Sequence, residues 1–509
     1  MALDSVYPFD WDWERARHLL FRAGFGGHPE EIDDFKKRGL TESLSALFST
    51  PSQPLFVPDW LSEEEDLRSQ QMKLLSQPER QKIQTRMGEH LRDLIGEWIN
   101  LMIASPTPAD MLHQKMVFFW HNHFATSTQK VNQPVAIYKQ LLLFQDKALA
   151  RFDDLLHSII RDPAMLRYLD NDQNRKGKPN ENLARELMEL FSLGTGSYTE
   201  KDIREGARAL TGWGLQNFQF GFQGNNHDND VKTIFGQTGN FDGDDFIDLI
   251  LGQSQCAEFM TRKVWTYFAS DSPSSETIQH IASEFRDSRY EIKTLLRSIF
   301  SHPDFYSTDV MGSQIKSPIQ LVVGTARTLG LHGTNIEFFR RMLQNMGQVP
   351  YMPPNVKGWL GGRNWIDTSR LVARYTFADN VGEGKVPAEI DPRQKGDLTL
   401  PAMKVSETQD PHMEKQAAAT QAMMKETSKM EAPHALPVHI DVEKLIDPNL
   451  SPIALVDKLA SILLPLSITE TERHQLVDKF NLARSKKSQI EALQQLIAAM
   501  MLLPAYQLC

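Results

Sequence analysis

Apolar residues recur at the three- to four-residue spacing of a helix through almost the whole chain, and proline or glycine closes run after run. Residues 11–23 carry a mixed apolar and charged stripe that Gly24, Gly26 and Gly27 stop, and Pro29 with Glu30 and Glu31 opens the next helix. A polar helix is predicted over 62–104, ending before Pro106 and Pro108. Further helices are predicted over 109–124, 133–148, 152–161, 181–193, 200–213, 244–269, 275–286, 289–301, 317–331, 452–464 and 469–503. Few runs alternate with period two, so strands are not expected. The fold class that follows is mainly α: a large multi-helix body, a flexible insert and a small C-terminal helical unit.

The distribution of aromatic residues places the boundaries. All nine Trp lie before residue 366, and Phe377 is followed by no Phe, Tyr or Trp until Phe480. Residues 383–440 are rich in Pro, Lys, Gln and Met, and such a segment buries too little apolar surface to offset its ordering entropy. The expected organisation is therefore a main helical domain over 1–382, a flexible insert over 383–440, and C-terminal helices over 441–509 that pack on the main domain. A short phrase, an apolar helix ending before Pro and followed by a buried-type residue, occurs around Pro163, Pro303 and Pro504. It reads as a shared way of stopping a helix rather than as a structural repeat.

Charge and cysteine content remove several function classes. Lys plus Arg number 55 against 65 Asp plus Glu, a net charge of −10. A nucleic-acid binder should carry a basic footprint instead. Cys256 and Cys509 are too few for a disulfide framework or a cysteine-based zinc site. The longest apolar run, Leu496 to Tyr506, is about half a membrane span and contains Pro504, so no membrane span is expected. The first twenty residues lack the basic start and apolar stretch of a secretory signal, which points to a cytoplasmic location.

The densest polar cluster runs from 165 to 232. In the 181–193 helix Leu183, Ala184, Leu187, Met188, Leu190 and Phe191 cover one side, and Glu181, Asn182, Arg185, Glu186 and Glu189 the other. Asn180 is placed to cap that helix and Gly194 to stop it. Thr199 and Asp202 make a capping-box-like start to the next helix, where Arg204 and Arg208 share a flank. Such a polar face serves either as a solvated, ion-paired surface or as part of a pocket in which an arginine clamps an anion.

Histidines offer a second thread. His121 and His123 stand two apart among aromatics, and on a helix their rings diverge by about 200°. His227-Asp228 follows a Gly/Asn-rich loop, with Lys232 four residues on. Neutral imidazoles and carboxylates suit zinc, manganese or iron, so His121, His123, His227 and Asp228 are candidate ligands for a divalent metal, with Asp170, Glu181 and Glu186 beside them in the ligand pool. No nucleophile elbow, Walker loop, dinucleotide fingerprint or HExxH is present. The rigid 346–359 loop carries Trp359, which, with Trp365, serves either as a stacking surface or as a core plug.

Taken together, these phrases resemble a large bacterial family, the domain of unknown function 1800 family. The residues that carry the resemblance are His18 to Gly26, Phe119 to Phe124, Asn180 to Glu186, Ala207 to Trp213, His227-Asp228 with Lys232, and Gly358-Trp359 with Trp365. It spans about residues 11–377 and extends to the C-terminal helices. The resemblance carries no activity with it. It implies that His121, His123, Asp170, Asn180, Glu181, Arg185, Glu186, Arg208, His227 and Asp228 share a polar pocket. It also implies a companion protein resembling a sulfatase or phosphatase, and it leaves an extracytoplasmic location open. Two readings follow. One is a metal-assisted hydrolase of an anionic substrate, with Glu181 or Glu186 as general base, His121, His123 and His227 as acid or metal ligands, Arg185 or Arg208 as anion clamp, and Asp170 among the catalytic residues. The other is a non-catalytic scaffold in which Glu181–Arg185 and Glu186–Arg208 pairs brace adjacent helices.

Overall fold

Proline and short polar side chains set the starts of the helices. The computed structural model describes residues 9–62, 74–216, 219–331, 336–382, 384–386, 436–437, 440 and 442–509. The first helix, α1 (Trp13–Ala23), is capped by Asp12, whose carboxylate accepts the Arg15 N–H at 2.9 Å. Pro29 stands in the first turn of α2 (Pro29–Leu47), whose path Gly39 breaks. Then come α3 (Gln77–Ala104), α4 (Pro108–His123), α5 (Pro134–Lys147), α6 (Phe152–Ile159) and α7 (Pro163–Tyr168). α8 (Asn182–Glu189) and α9 (Glu200–Ala209) lead into two antiparallel hairpins. These are β1 (Trp213–Gln216) with β2 (Gln219–Phe222), and β3 (Lys232–Ile234) with β4 (Gln237–Gly239).

After the hairpins the chain is helical again. The helices are α10 (Gly243–Leu251), α11 (Ser254–Phe268), α12 (Ser275–Asp287), α13 (Ile292–Ser301), α14 (Pro318–Thr328), α15 (Ile336–Met346) and α16 (Thr368–Gly382). A short β5 (Lys385–Val386) pairs antiparallel with β6 (Leu436–Pro437), joining the two ends of the segment predicted as an insert. Most of that 383–440 segment lies outside the described residues. Finally α17 (Val442–Leu445), α18 (Pro452–Leu463), α19 (Glu470–Arg484) and α20 (Gln489–Met501) close the fold. α20 lies directly on α16, close enough that a Cβ on Gly382 would collide with Ala498.

The protein is mainly α, and one apolar core runs from Ala16 to Cys509. At its centre α4 is buried along almost its whole length, as expected of a helix that reads apolar nearly all round. Trp120 at its heart donates its indole N–H to the Ala148 carbonyl at 3.0 Å. Among the described residues no helix is long and apolar enough to cross a membrane.

Several expectations are corrected in detail. The 200–213 helix stops at Ala209, because Gly212 takes a positive φ of 80° and turns the chain into β1. The predicted 244–269 helix is two helices parted at Gly252 and Gln253. The 469–503 helix breaks at Ser485 to Ser488, and Ser488 caps the second half through Glu491. Helices α15 and α16 and the three two-stranded sheets were not expected from periodicity. The strands are too short, two to four residues each, for alternation to reveal them. At Pro163, Pro303 and Pro504 the proline opens a new short helical turn, and Met165, Phe305 and Tyr506 fold back into the core.

Candidate functional site

The polar motifs sit where α4, α8 and α9 meet the loops that cross them. At the end of α4 the tripeptide His121-Asn122-His123 grips three different stretches of backbone. The His121 Nε2 accepts the Tyr351 N–H at 2.9 Å. The Asn122 Oδ1 accepts the Trp359 N–H at 2.7 Å, and its Nδ2 donates to the Trp359 carbonyl at 3.4 Å. The His123 Nε2 donates to the Phe191 carbonyl at 3.0 Å. Because α4 is helical to His123, the rings point to different neighbours, as the spacing predicted. His121 lies among Trp98, Phe118, Tyr351 and Trp359, and His123 among Phe119, Trp120, Phe124 and Phe191. Burial holds both imidazoles neutral, pushed down to about 3.

This clasp explains the 346–359 loop. Gly358 has φ 71°, and a Cβ there would collide with the Asn122 carbonyl oxygen. Trp359 stacks on Phe118 at a centroid distance of 6.0 Å and is buried, so it serves as a core plug. Trp365 is buried as well.

A second set of contacts ties the 169–182 loop to the end of α9. Asn171 donates to the Trp213 carbonyl at 2.9 Å, and Asn174 donates to the Ala207 carbonyl at 2.9 Å and to the Asn171 side chain at 3.1 Å. The Asn180 N–H donates to the Asn174 Oδ1 at 2.9 Å, and the Asn180 Nδ2 donates to the Asp170 carbonyl at 3.2 Å. Glu181, not Asn180, occupies the cap position of α8, while the Asn180 Oδ1 accepts the Asn182 N–H at 3.0 Å. Asp170 itself takes a left-handed φ of 56° and pairs with Lys130 at 2.7 Å. A cleft of about 130 Å³ lies beside Lys130, walled by Val131, Asn132, Gln133, Ala136, Pro163 and Arg167. That is well below the several hundred Å³ typical of a small-molecule pocket.

The arginines brace helices. Arg185 pairs with Glu181 one turn back at 3.1 Å and, through two bonds of 3.0 and 2.9 Å, with Glu200 at the start of α9. Hydrogen bonding to Glu200 raises the Arg185 guanidinium still further above its ordinary value. Arg208 grips Asp228 with bonds of 2.8 and 3.3 Å and also holds Glu205 at 2.8 Å. The hydrogen bond from Arg208 pulls the Asp228 carboxyl down to about 2. The expected Glu186–Arg208 pair does not form, because Arg208 is turned toward the hairpin loop rather than toward α8. Glu205 in turn accepts the Thr233 N–H at 3.2 Å, so one guanidinium fixes the 228–234 loop on α9.

His227 belongs to the same loop. Its Nδ1 donates to the Thr211 carbonyl at 2.8 Å, and the Thr211 hydroxyl accepts the Asp228 N–H at 2.8 Å. Gly212 makes this packing possible, since a Cβ there would fall 2.7 Å from the Gln223 carbonyl oxygen and 3.1 Å from the His227 nitrogen. Lys232 is buried and donates to the Asp228 and Asp230 carbonyls at 2.6 and 3.0 Å.

The residues expected as metal ligands are therefore not gathered together. His121 and His123 face separate aromatic surroundings, His227 is turned to a backbone carbonyl, and Asp228 is committed to Arg208. Among the described residues no three His, Cys, Asp or Glu side chains are grouped to hold a metal ion. As they stand, these donors do not fit one. Glu186 differs from the rest. It is half-buried, its carboxylate has no hydrogen bond among the described residues, and burial together with the nearby Glu189 raises its carboxyl above the usual range, against the pull of Lys357 and Arg185. Tyr168 lies within its electrostatic reach.

The segments that carry this architecture are the ones quoted for the resemblance. The sequence model of the family described as protein of unknown function (DUF1800) matches residues 18–508. The chain belongs to that family. No curated protein and no solved structure matches it. The match runs from within α1 to residue 508, so it covers the braces described above and the C-terminal helices. Sequence reasoning missed the anchoring roles of Asn122, Asn171 and Asn174, and it placed Asn180 as a helix cap rather than in the relay that joins it to Asn174 and Asp170. Asn122 carried a signal, a polar amide at the end of an aromatic helix where an unpaired amide would be costly, whereas the three other asparagines lie in a polar loop that hides them.

Proposed function

We propose that the chain is a non-catalytic helical scaffold that presents a braced surface to a companion protein, the resemblance suggesting one like a sulfatase or phosphatase. The observation that carries this reading is the state of the candidate residues. His121, His123, Asp170, Glu181, Arg185, Arg208, His227 and Asp228 are each held by a protein partner, and the donors of the two arginines go to carboxylates that tie one element to another. An anion clamp needs free guanidinium donors, and these have little to spare. The test pairs stability with turnover. Arg208→Met should lower the melting temperature, and the wild-type chain should show no hydrolysis of aryl phosphate, sulfate or acetate esters with or without added Zn²⁺ or Mn²⁺. Hydrolysis above background that Arg208→Met removes without changing the melting temperature would sink the scaffold reading.

One observation favours an enzyme instead. Glu186 is a half-buried carboxyl whose pKa burial raises and which has no side-chain hydrogen bond among the described residues, beside Tyr168, Arg185 and Lys357, as a general base would be. On that reading Glu186→Gln abolishes turnover while leaving the melting temperature unchanged or higher.

A further inference from the structure

Two neighbouring surface loops receive the polar braces of the 169–182 segment and of α9. In the first, the chain doubles back at Lys176 and Gly177, where Gly177 takes a φ of 78° and the Lys178 N–H donates to the Arg175 carbonyl at 3.0 Å. Residues 175–179 are exposed. Asn174, just before this turn, is buried and bonded to the Ala207 carbonyl, and Asn180, just after it, is bonded to Asn174. In the second loop, Phe222 ends β2 and Val231 precedes β3, and they stand in solvent at 51% and 62% exposure. Between them His227 and Asp228 are pinned to Thr211 and Arg208, and Arg208 also reaches the Val231 carbonyl at 3.3 Å.

The two loops touch. The Lys176 N–H donates to the Asn226 carbonyl at 2.7 Å, and the Phe222 ring meets His227 with centroids 5.4 Å apart. Phe222 is the one exposed residue among the described Phe, Tyr and Trp. Such a ring keeps apolar surface in water that a partner can cover. Beside it the charge is positive. Asp172 is paired with Arg167, and Asp230 lies 4.0 Å from Lys176, while the side chains of Arg175 and Lys178 have no partner among the described residues. In a chain of net charge −10 this is a local reversal of sign. Buried polar bonds that fix exposed side chains have a physical use, because a surface already held in its bound form loses little entropy when a partner docks. An aromatic anchor with arginine beside it is also the composition in which interfaces concentrate their binding energy.

We propose that Phe222 and Val231, together with Arg175, Lys176 and Lys178, form the surface on which the companion protein docks, and that the matching face is an apolar pocket rimmed by Asp and Glu. This inference rests on the scaffold reading above and adds to it the place and the chemistry of the contact. A second copy of this chain does not fit, since in a two-fold interface the patch meets itself and sets like charges against each other.

The experiment uses the full chain and, as the probe, a separately purified companion resembling a sulfatase or phosphatase from the same genome. Binding is measured by calorimetry at low and at high salt. The expected result is a complex whose Kd rises with salt, and which Phe222→Ser and the double variant Arg175→Glu/Lys178→Glu each weaken by about tenfold or more. Both variants change exposed side chains, so their melting temperatures should match that of the wild type. Leu360→Ser removes an apolar side chain that is 74% exposed on a different loop, and it should bind as the wild type does. If the companion binds the wild type and both variants equally, the docking surface is wrong while the scaffold reading stands. If it does not bind the wild type at all, the scaffold reading fails and this inference falls with it. Sedimentation that shows a dimer of this chain, broken by Phe222→Ser, would assign the patch to a second copy and overturn the proposal.

Discussion

Asn122 shows how much one side chain can hold. Its amide satisfies both the N–H and the carbonyl of Trp359. Asn122→Ala should leave the Trp359 N–H unpaired in a buried setting, a loss of about 1–3 kcal/mol. Gly358→Ala should act on the same contact from the other side, by straining a φ of 71° and pressing a methyl group onto Asn122. Its backbone cost alone is about 1 kcal/mol, and the collision adds to it. Urea unfolding should show both variants with a lower midpoint and an unchanged slope, and the two effects should be less than additive because they break one clasp. The sequence made part of this legible. The two histidines stood out, and helix geometry said their rings would diverge. The residue between them did not stand out, since an asparagine at a helix end usually reads as a cap or a turn rather than as the anchor of a loop more than two hundred residues away.

At the scale of elements, the 228–234 loop is fastened to α9 by one guanidinium. Arg208 supplies donors to Asp228, Glu205 and the Val231 carbonyl, and Lys232 ties the loop to itself. Arg208→Met should strand the Asp228 and Glu205 carboxylates and cost about 1–3 kcal/mol. Hydrogen exchange should rise mainly at the Asp228, Asp230 and Thr233 amides, with α4 unaffected. The double variant Arg208→Met/Asp228→Leu should recover part of the loss, because removing both charges avoids an unpaired buried one. If the double variant is as unstable as the sum of the singles, the pair is not the brace described here. This element-scale picture was half legible. Periodicity gave α8 and α9 and a capping box at Thr199, which the structure bears out through mutual Thr199–Asp202 bonds of 2.8 and 3.2 Å. The hairpins were hidden, because a three-residue strand is stabilised by its contacts with α9 rather than by its own pattern. For the same reason the direction of the ion pairs was hidden. Glutamates of α8 were expected to meet arginines of α9, whereas it is Arg185 of α8 that meets Glu200 of α9.

Across the whole molecule, buried titratable groups set a pH dependence that their signs allow to be worked out. His121 and His123 are pushed down to about 3, while in the unfolded chain they titrate near 6.5. The unfolded state therefore binds more protons between those values, so their contribution is fully present above pH 6.5 and is lost as pH falls. At pH 5 the loss is about 2 kcal/mol for each histidine, and His18, held well below its ordinary value by burial, acts in the same direction. Asp162 opposes them. It is buried at the start of α7, accepts bonds from Met165 and Gln140, and burial raises its carboxyl to about 7. Here the native state binds more protons, so protonating Asp162 adds about 2 kcal/mol between pH 7 and pH 5. The histidines outnumber it, and stability should fall over that interval. Asp162→Asn keeps an oxygen to accept both bonds but cannot titrate. In that variant the loss between pH 7 and pH 5 should deepen by about 2 kcal/mol relative to the wild type, read from urea midpoints at the two pH values. An unchanged difference would mean that Asp162 is already ionised in the fold, its bonds from Met165 and Gln140 outweighing the desolvation that burial imposes.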